Sequence, residues 1–269
     1  MKPSIAVQSD CGVASTTFAK FTGMVQRIAP NTDVVENNLS FETGNARQVA
    51  AYLYTLIPFW PENTIFVSLM NNDRKIAVRL ANGRILMGSD DGFITMGIHH
   101  FGFDNARLIS LEKFGDDAFT LARCSASLVN GMPFEEIGEE LKLEDLNLFV
   151  IPESHIEKGL AEGVVTMLLK TFGNLTFSIE TDDFEKTGIQ HGDLVKVTIT
   201  RNEQVVYEEE MTYQPSFGFV GIGAPIIFNG SAGYMDIGLN QENFITECIP
   251  EILEDDPELY KVRIEKIGE

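Results

Sequence analysis

Apolar positions in the first half of the chain switch between short runs and helical stripes. Residues 5–8 form a brief apolar run broken by Asp10 and Gly12, as a short buried strand does. Residues 15–28 then set Phe18, Phe21, Met24, Val25 and Ile28 on one helical face, after Ser and Thr residues suited to capping. Pro30 and Asn31 stop that helix. Residues 32–36 read as a second strand, 44–56 as a second amphipathic helix and 64–69 as a third strand. This rhythm implies right-handed crossovers and a parallel sheet. A hairpin follows, with 76–80 and 84–87 flanking the turn pair Asn82-Gly83. Residues 114–130 read as a helix with Asp116 and Asp117 at its start and Gly131 as its stop, and 133–141 as a second, short helix.

Beyond Pro152 the pattern becomes strands and turns. Residues 163–169, 175–179, 194–198, 205–212, 217–220, 225–228 and 234–239 all read as β. The expected fold is an α/β N-terminal domain with a mainly parallel sheet, over 1–150, followed by a smaller β-barrel-like C-terminal domain over 160–269. The boundary is expected between Leu146 and Gly163.

Composition narrows the partners. The chain has 269 residues, 44% of them apolar, and a formal charge of -20. Such a charge repels phosphate backbones and anionic headgroups, so neither nucleic acid nor membrane is an expected partner. Part of the excess crowds one stretch, Glu251, Glu254, Asp255, Asp256 and Glu258, expected to be a solvated segment. Residues 5–7 are too few for a signal-peptide core, and the mostly apolar stretch 50–60, with Pro58, is too short to span a bilayer. Cys11, Cys124 and Cys248 suggest neither a disulfide frame nor a zinc site, and the expected location is the cytoplasm.

Several polar positions invite chemistry. Asp10 ends the first parallel strand, at the edge where open α/β sheets bind ligands; it either accepts both hydroxyls of a ribose or caps the helix after Val13. Ser89-Asp90-Asp91-Gly92 either brings a carboxylate to the same edge or is a polar turn. Asp116 and Asp117 diverge as helix neighbours and suit the helix dipole better than acid/base work. His99 and His100 lack a ligand set at metal spacing, so no metal is expected. Gly221 and Gly223 lack the helix that a phosphate cradle needs. Phe172-Gly173-Asn174 interrupts a strand, either as a bulge or as a place where an aromatic stacks and Asn pairs with a heterocycle edge.

Taken in order, these pieces resemble the S-adenosylmethionine hydroxide adenosyltransferases, related to the fluorinase and chlorinase enzymes. Ser9-Asp10-Cys11-Gly12 sits where that family has Thr-Asp-Phe-Gly, and Ser89-Asp90-Asp91-Gly92 is similar to its Pro-Asp-Asn-Gly. Lys170-Thr171-Phe172-Gly173-Asn174 is similar to its Asp-x-Phe-Gly-Asn strand. The segment from Asn229 through Gly230, Ser231, Ala232, Gly233, Tyr234, Met235 and Asp236 to Ile237 resembles its Asn-Ser-x-Gly-Tyr-Leu-Glu-Ile. The resemblance implies a trimer whose ligand lies between the N-domain of one subunit and the C-domain of its neighbour. It implies attack of water or hydroxide on ribose C5′ of S-adenosylmethionine, giving adenosine and methionine, with no further cofactor. By the same resemblance Asp10 holds the ribose diol, Phe172 and Asn174 help hold the nucleoside, and Ser231 lies near the methionine end.

The departures mark a divergent member that lacks part of the catalytic signature. The family activates its nucleophile with an Asp, an Arg and a His. Leu69 replaces the acid, Arg74 matches the Arg, and Asp117 is the one match in the Phe-His-Gly-Arg-Asp segment, where this chain reads Phe114-Gly115-Asp116-Asp117. Lys170 replaces an acid that can meet the substrate's amino group, and a cation there repels an ammonium. Two functions follow. One is an S-adenosylmethionine hydrolase whose site is rebuilt around Arg74, Asp73 and Asp117. The other is a noncatalytic trimer that binds adenosine or S-adenosylmethionine. A structural trimer with no small ligand is a third.

Overall fold

The computed structural model describes residues 4–11, 15–37, 44–70 and 74–268. The chain divides into two compact units, Met1–Phe149 and Val150–Glu269.

In the first unit, strands β1 (Ser4–Ser9), β2 (Asp33–Glu36), β3 (Ile65–Leu69), β4 (Lys75–Leu80), β5 (Ile85–Ser89), β6 (Phe103–Leu108) and β7 (Glu140–Leu141) form one sheet in the order β2-β1-β3-β5-β4-β6-β7. The β2, β1, β3 and β5 neighbours pair in parallel, and the antiparallel β5-β4 and β4-β6 steps turn β6 back to the same direction. The sheet is therefore mainly parallel, as the alternating pattern implies. Helices α1 (Thr17–Ile28), α2 (Ala46–Leu56), α3 (Thr95–Phe101), α4 (Leu111–Phe114) and α5 (Thr120–Val129) complete this unit.

Strand alternation builds its two cores. Ile5, Val7, Ile65, Val67 and Met87 face Phe21 and Val25 of α1 and Leu121 and Cys124 of α5. Ala6, Phe66, Leu86 and Val78 face Val49 and Leu53 of α2. Parallel strands buried on both faces read as continuous apolar runs, which is why 5–8 and 64–69 stand out in the sequence.

The second unit is a closed barrel. Strands β8 (His155–Glu157), β9 (Leu160–Leu169), β10 (Asn174–Glu180), β11 (Leu194–Arg201), β12 (Gln204–Tyr213), β13 (Pro225–Asn229), β14 (Tyr234–Leu239) and β15 (Tyr260–Lys266) run in the order β10-β14-β13-β12-β11-β15-β9-β8. An additional β9–β10 pairing closes seven of them into a ring, and β8 attaches to the outer part of β9. Phe177, Ile179, Val197, Ile199, Met235 and Ile237 are among the side chains that fill the interior.

Three expectations are corrected. The helix expected over 114–130 starts only at Thr120 as α5; Phe114 ends the separate α4, which Gly115, at φ 78°, closes. Residues 133–141 hold a 3₁₀ turn, Phe134–Glu136, and then β7 rather than a helix. Residues 217–220 contain the 3₁₀ turn Phe217–Phe219, not a strand. In the acidic stretch Glu251, Glu254 and Asp256 are exposed, as a solvated segment requires, while Ile252 is buried, Asp255 accepts hydrogen bonds from Arg201 Nη2 at 2.8 Å and Tyr260 Oη at 2.7 Å, and the chain returns as β15 to close the barrel.

Candidate functional site

Each unit carries a polar cluster. In the first, the sheet order places β1 between β2 and β3, so the crossover from β1 leaves to one side and the crossover from β2 returns to the other. Their divergence makes the carboxyl end of β1 a topological switch point, the place where open α/β sheets take their ligands. Asp10 follows β1 there, half-buried. Its Oδ2 accepts a hydrogen bond from the Gly44 backbone N–H at 3.1 Å, just ahead of α2. The first turn of α1 has a different partner: Ser15 Oγ accepts from the Thr17 N–H at 3.1 Å, and Thr16, at the cap position, makes no side-chain capping bond. Asp10 is thus held at the switch point by the loop before α2.

The carboxyl end of β5 lies two strands away along the same edge. Asp90 is buried there, with 1% exposure, and its oxygens are taken. Oδ2 receives Arg74 Nε at 2.7 Å and pairs with Nη2 at 2.5 Å, while Oδ1 receives the Asn147 backbone N–H at 2.9 Å. Arg74 also donates through Nη2 to the Asp145 carbonyl. Asn147 Nδ2 returns to the Asp90 carbonyl at 2.8 Å, so this network ties residues 145–147 to the sheet edge.

Asp117 is exposed ahead of α5. Its Oδ1 accepts from Arg123 Nη2 at 2.5 Å and from the Phe119 N–H at 2.7 Å. These bonds, the Arg123 bond foremost, hold its carboxyl below the usual carboxylate range. Among the described residues no hydrogen bond or ion pair joins Asp117 to Arg74. Asp73 lies outside the described residues.

In the second unit, Phe172 occupies the turn between β9 and β10 and is 73% exposed. Phe172-Gly173-Asn174 therefore joins two strands rather than interrupting one. Gly173 takes φ 76°, and a Cβ there would lie 2.5 Å from the Asn243 side chain, so both conformation and space call for glycine. Asn174 begins β10 and is buried, and its Oδ1 lacks a hydrogen-bond partner among the described residues. Ser231 is exposed in the turn between β13 and β14.

Between those two turns lies a strip on the outer face of β10 and β14. Thr176 and Asp236 are cross-strand partners, 2% and 3% exposed. The Thr176 hydroxyl and the Asp236 carboxyl face each other across the ladder. Burial pushes the Asp236 carboxyl up to about 7, opposed only in part by Thr176. Gly238 and Gly230 make room for this strip: a Cβ at Gly238 would lie 2.4 Å from Asn174 Oδ1, and one at Gly230 would lie 2.6 Å from the Asp236 carboxyl. Thr176 and the role of Asp236 escape the sequence reading. The available signal is an acid between Met235 and Ile237 in an otherwise apolar strand, where Asp is disfavoured.

The SAM hydroxide adenosyltransferase N-terminal domain model matches residues 5–138, and the C-terminal domain model of the same family matches residues 169–248. The chain belongs to the SAM hydroxide adenosyltransferase family. It is 26% identical over 276 residues to a fluorinase of Actinopolyspora mzabensis, covering 89% of this chain and 91% of that protein. A fluorinase of Actinoplanes sp. (strain N902-109) is also 26% identical, over 88% of this chain and 91% of its own. A crystal structure of an uncharacterized conserved protein from Thermotoga maritima superposes with a TM-score of 0.79 at 22% identity, covering 97% of this chain and 99% of the other. A conserved hypothetical protein from Thermus thermophilus superposes with a TM-score of 0.71 at 22% identity, covering 99% of this chain and 100% of the other. These two likenesses concern the fold. The family uses S-adenosylmethionine as a small-molecule substrate. Among the described residues no helix is long and apolar enough to cross a membrane.

Proposed function

We propose that this family member binds the adenosine part of S-adenosylmethionine through Asp10, and that Arg74 and Asp117 serve structure rather than hydrolysis. The observation that carries the reading is the Arg74–Asp90 pair. Sulfonium is already a good leaving group, so hydrolysis depends on an aligned and desolvated nucleophile. A guanidinium committed to Asp90 and to the Asp145 carbonyl is poorly placed to align water. Asp117 is likewise committed to Arg123. Among the described residues Asp10 has only its backbone bond from Gly44 and a long 3.8 Å contact from Cys11 Sγ, so it retains acceptor capacity for a ribose diol.

In this reading Phe172 offers an exposed ring beside the nucleoside, Asn174 a buried amide oxygen, and Ser231 a hydroxyl toward the methionine end. The working form is the homotrimer that the resemblance implies, checked by light scattering, and the compartment is the cytoplasm. Purified protein incubated with S-adenosylmethionine is expected to release no more adenosine, by chromatography, than an Asp73→Ala, Arg74→Ala double variant. Adenosine release that the double variant abolishes would establish the hydrolase instead.

A further inference from the structure

Strand β1 is buried on both faces, yet its penultimate residue is Gln8. The side chain is 1% exposed, and its Oε1 and Nε2 both lack hydrogen-bond partners among the described residues. A buried donor and acceptor left unmade are destabilising, because each has given up water without replacement. Ala6, two residues earlier, packs with Val49 and Leu53 of α2, so strand alternation turns Gln8 to that side of the sheet.

Polar neighbours flank it across the ladder. On β3 the register partner of Gln8 is Ser68, 3% exposed. On the other side Asn37, just past β2, donates its backbone N–H to the Val7 carbonyl at 2.7 Å and so continues the ladder beside Gln8. Asn37 Nδ2 is also buried without a partner among the described residues. Beyond Ser68 the row is closed: a Cβ at Gly88 would lie 2.9 Å from the Phe93 ring and 3.1 Å from Ser68 Cβ. The layer beneath is apolar, made by Ala6, Phe66 and Leu86. A partner from outside the chain therefore comes from the carboxyl end of β1, where Asp10 is held by Gly44 just ahead of α2.

Resting on the nucleoside reading above, we infer that Gln8 and Asn37 are specificity-determining donors for the vicinal diol of the ligand. Each hydroxyl donates its proton to the Asp10 carboxylate and accepts an N–H in return, one from Gln8 Nε2 and one from Asn37 Nδ2. The Ser68 hydroxyl donates to Gln8 Oε1. An ionised Asp10 supplies acceptors only, so the two amides complete what the carboxylate cannot offer. A ligand with one hydroxyl leaves one amide unpaired, and a site built on buried polar groups rejects such analogues strongly.

Calorimetry with adenosine, 2′-deoxyadenosine and 3′-deoxyadenosine on the full chain tests this. Wild type is expected to bind adenosine at least about tenfold more tightly than either analogue. Gln8→Met, which keeps the side-chain length, is expected to weaken adenosine about tenfold while leaving within about twofold the analogue that lacks its hydroxyl. Asn37→Leu is expected to do the same with the other analogue. Without ligand, Gln8→Met should melt about 2–4 °C higher than wild type, since an unpaired amide is gone. A lower melting temperature, or a variant that fails to fold, shows that the amide serves the folded chain alone and overturns the inference. So does equal weakening of all three ligands, or adenosine affinity unchanged in Gln8→Met, while adenosine binding itself survives. Absence of adenosine binding in wild type overturns both this inference and the nucleoside reading.

Discussion

Replacing Asp236 by Asn has a stability effect whose sign and size follow from its burial. The carboxyl is raised from 3.8 to about 7 by desolvation. Between about pH 4 and pH 7 the folded chain holds a proton that the unfolded chain has released, so stability falls as pH rises through that window. Below pH 4 both states are protonated and the contribution vanishes. Above pH 7 both are ionised and the penalty is complete. A shift from 3.8 to about 7 corresponds to about 4 kcal/mol at 1.36 kcal/mol per unit. Asn carries no charge, so it escapes that penalty, though one of its amide hydrogens left unpaired would return about 1–3 kcal/mol. The net expectation at pH 8 is a gain of about 1–3 kcal/mol, and the gain should shrink or reverse at pH 4. Urea unfolding of wild type and Asp236→Asn at both pH values measures it. With an m-value near 2 kcal/mol/M, the midpoint at pH 8 should rise by about 1 M. The difference between the variants isolates this group from the general self-repulsion of a chain with charge -20. An effect equal at pH 4 and pH 8 would refute the reasoning.

Other substitutions probe the remaining features. Among the described residues Arg74→Ala leaves the buried Asp90 carboxylate with the Asn147 N–H alone; breaking a buried pair costs about 3–5 kcal/mol, and the 41% exposure of Arg74 reduces this to about 2 kcal/mol, readable as a lower melting temperature. Unchanged melting would contradict a structural role for Arg74. Gly173→Ala forces a methyl into the Asn243 side chain at φ 76°, and should cost about 2–3 kcal/mol in urea unfolding of the second unit. Thiol labelling of the native chain should find Cys11, which is exposed, long before Cys124, whose thiol burial pushes up to about 12; rapid labelling of Cys124 by mass spectrometry would show that the α5 packing is wrong.

The reach of sequence reasoning follows from what is local. Strands buried on both faces and the Asn82-Gly83 hairpin are visible because their signals lie within a few residues. The break at Gly115 is hidden because Asp116, Asp117 and the apolar stripe of α5 continue a helical pattern through it. The closing strand β15 follows an acidic stretch, and only its long-range pairing with β9 and β11 fixes it. The position of Asp10 can be argued from the switch-point rule, but its bond to Gly44, 34 residues on, cannot. For Arg74, family resemblance names the residue, while its commitment to Asp90 depends on β4 and β5 lying side by side. Asp236 is legible as an acid in an apolar strand, while its burial against Thr176 emerges only from the neighbours across the ladder.

Titration of adenosine into wild type and Asp10→Ala by calorimetry tests the central claim most directly. The account predicts saturable binding to wild type and a loss of at least about tenfold in Asp10→Ala, because the ribose diol loses its acceptor. Equal heats from the two proteins, or none from wild type, would contradict it.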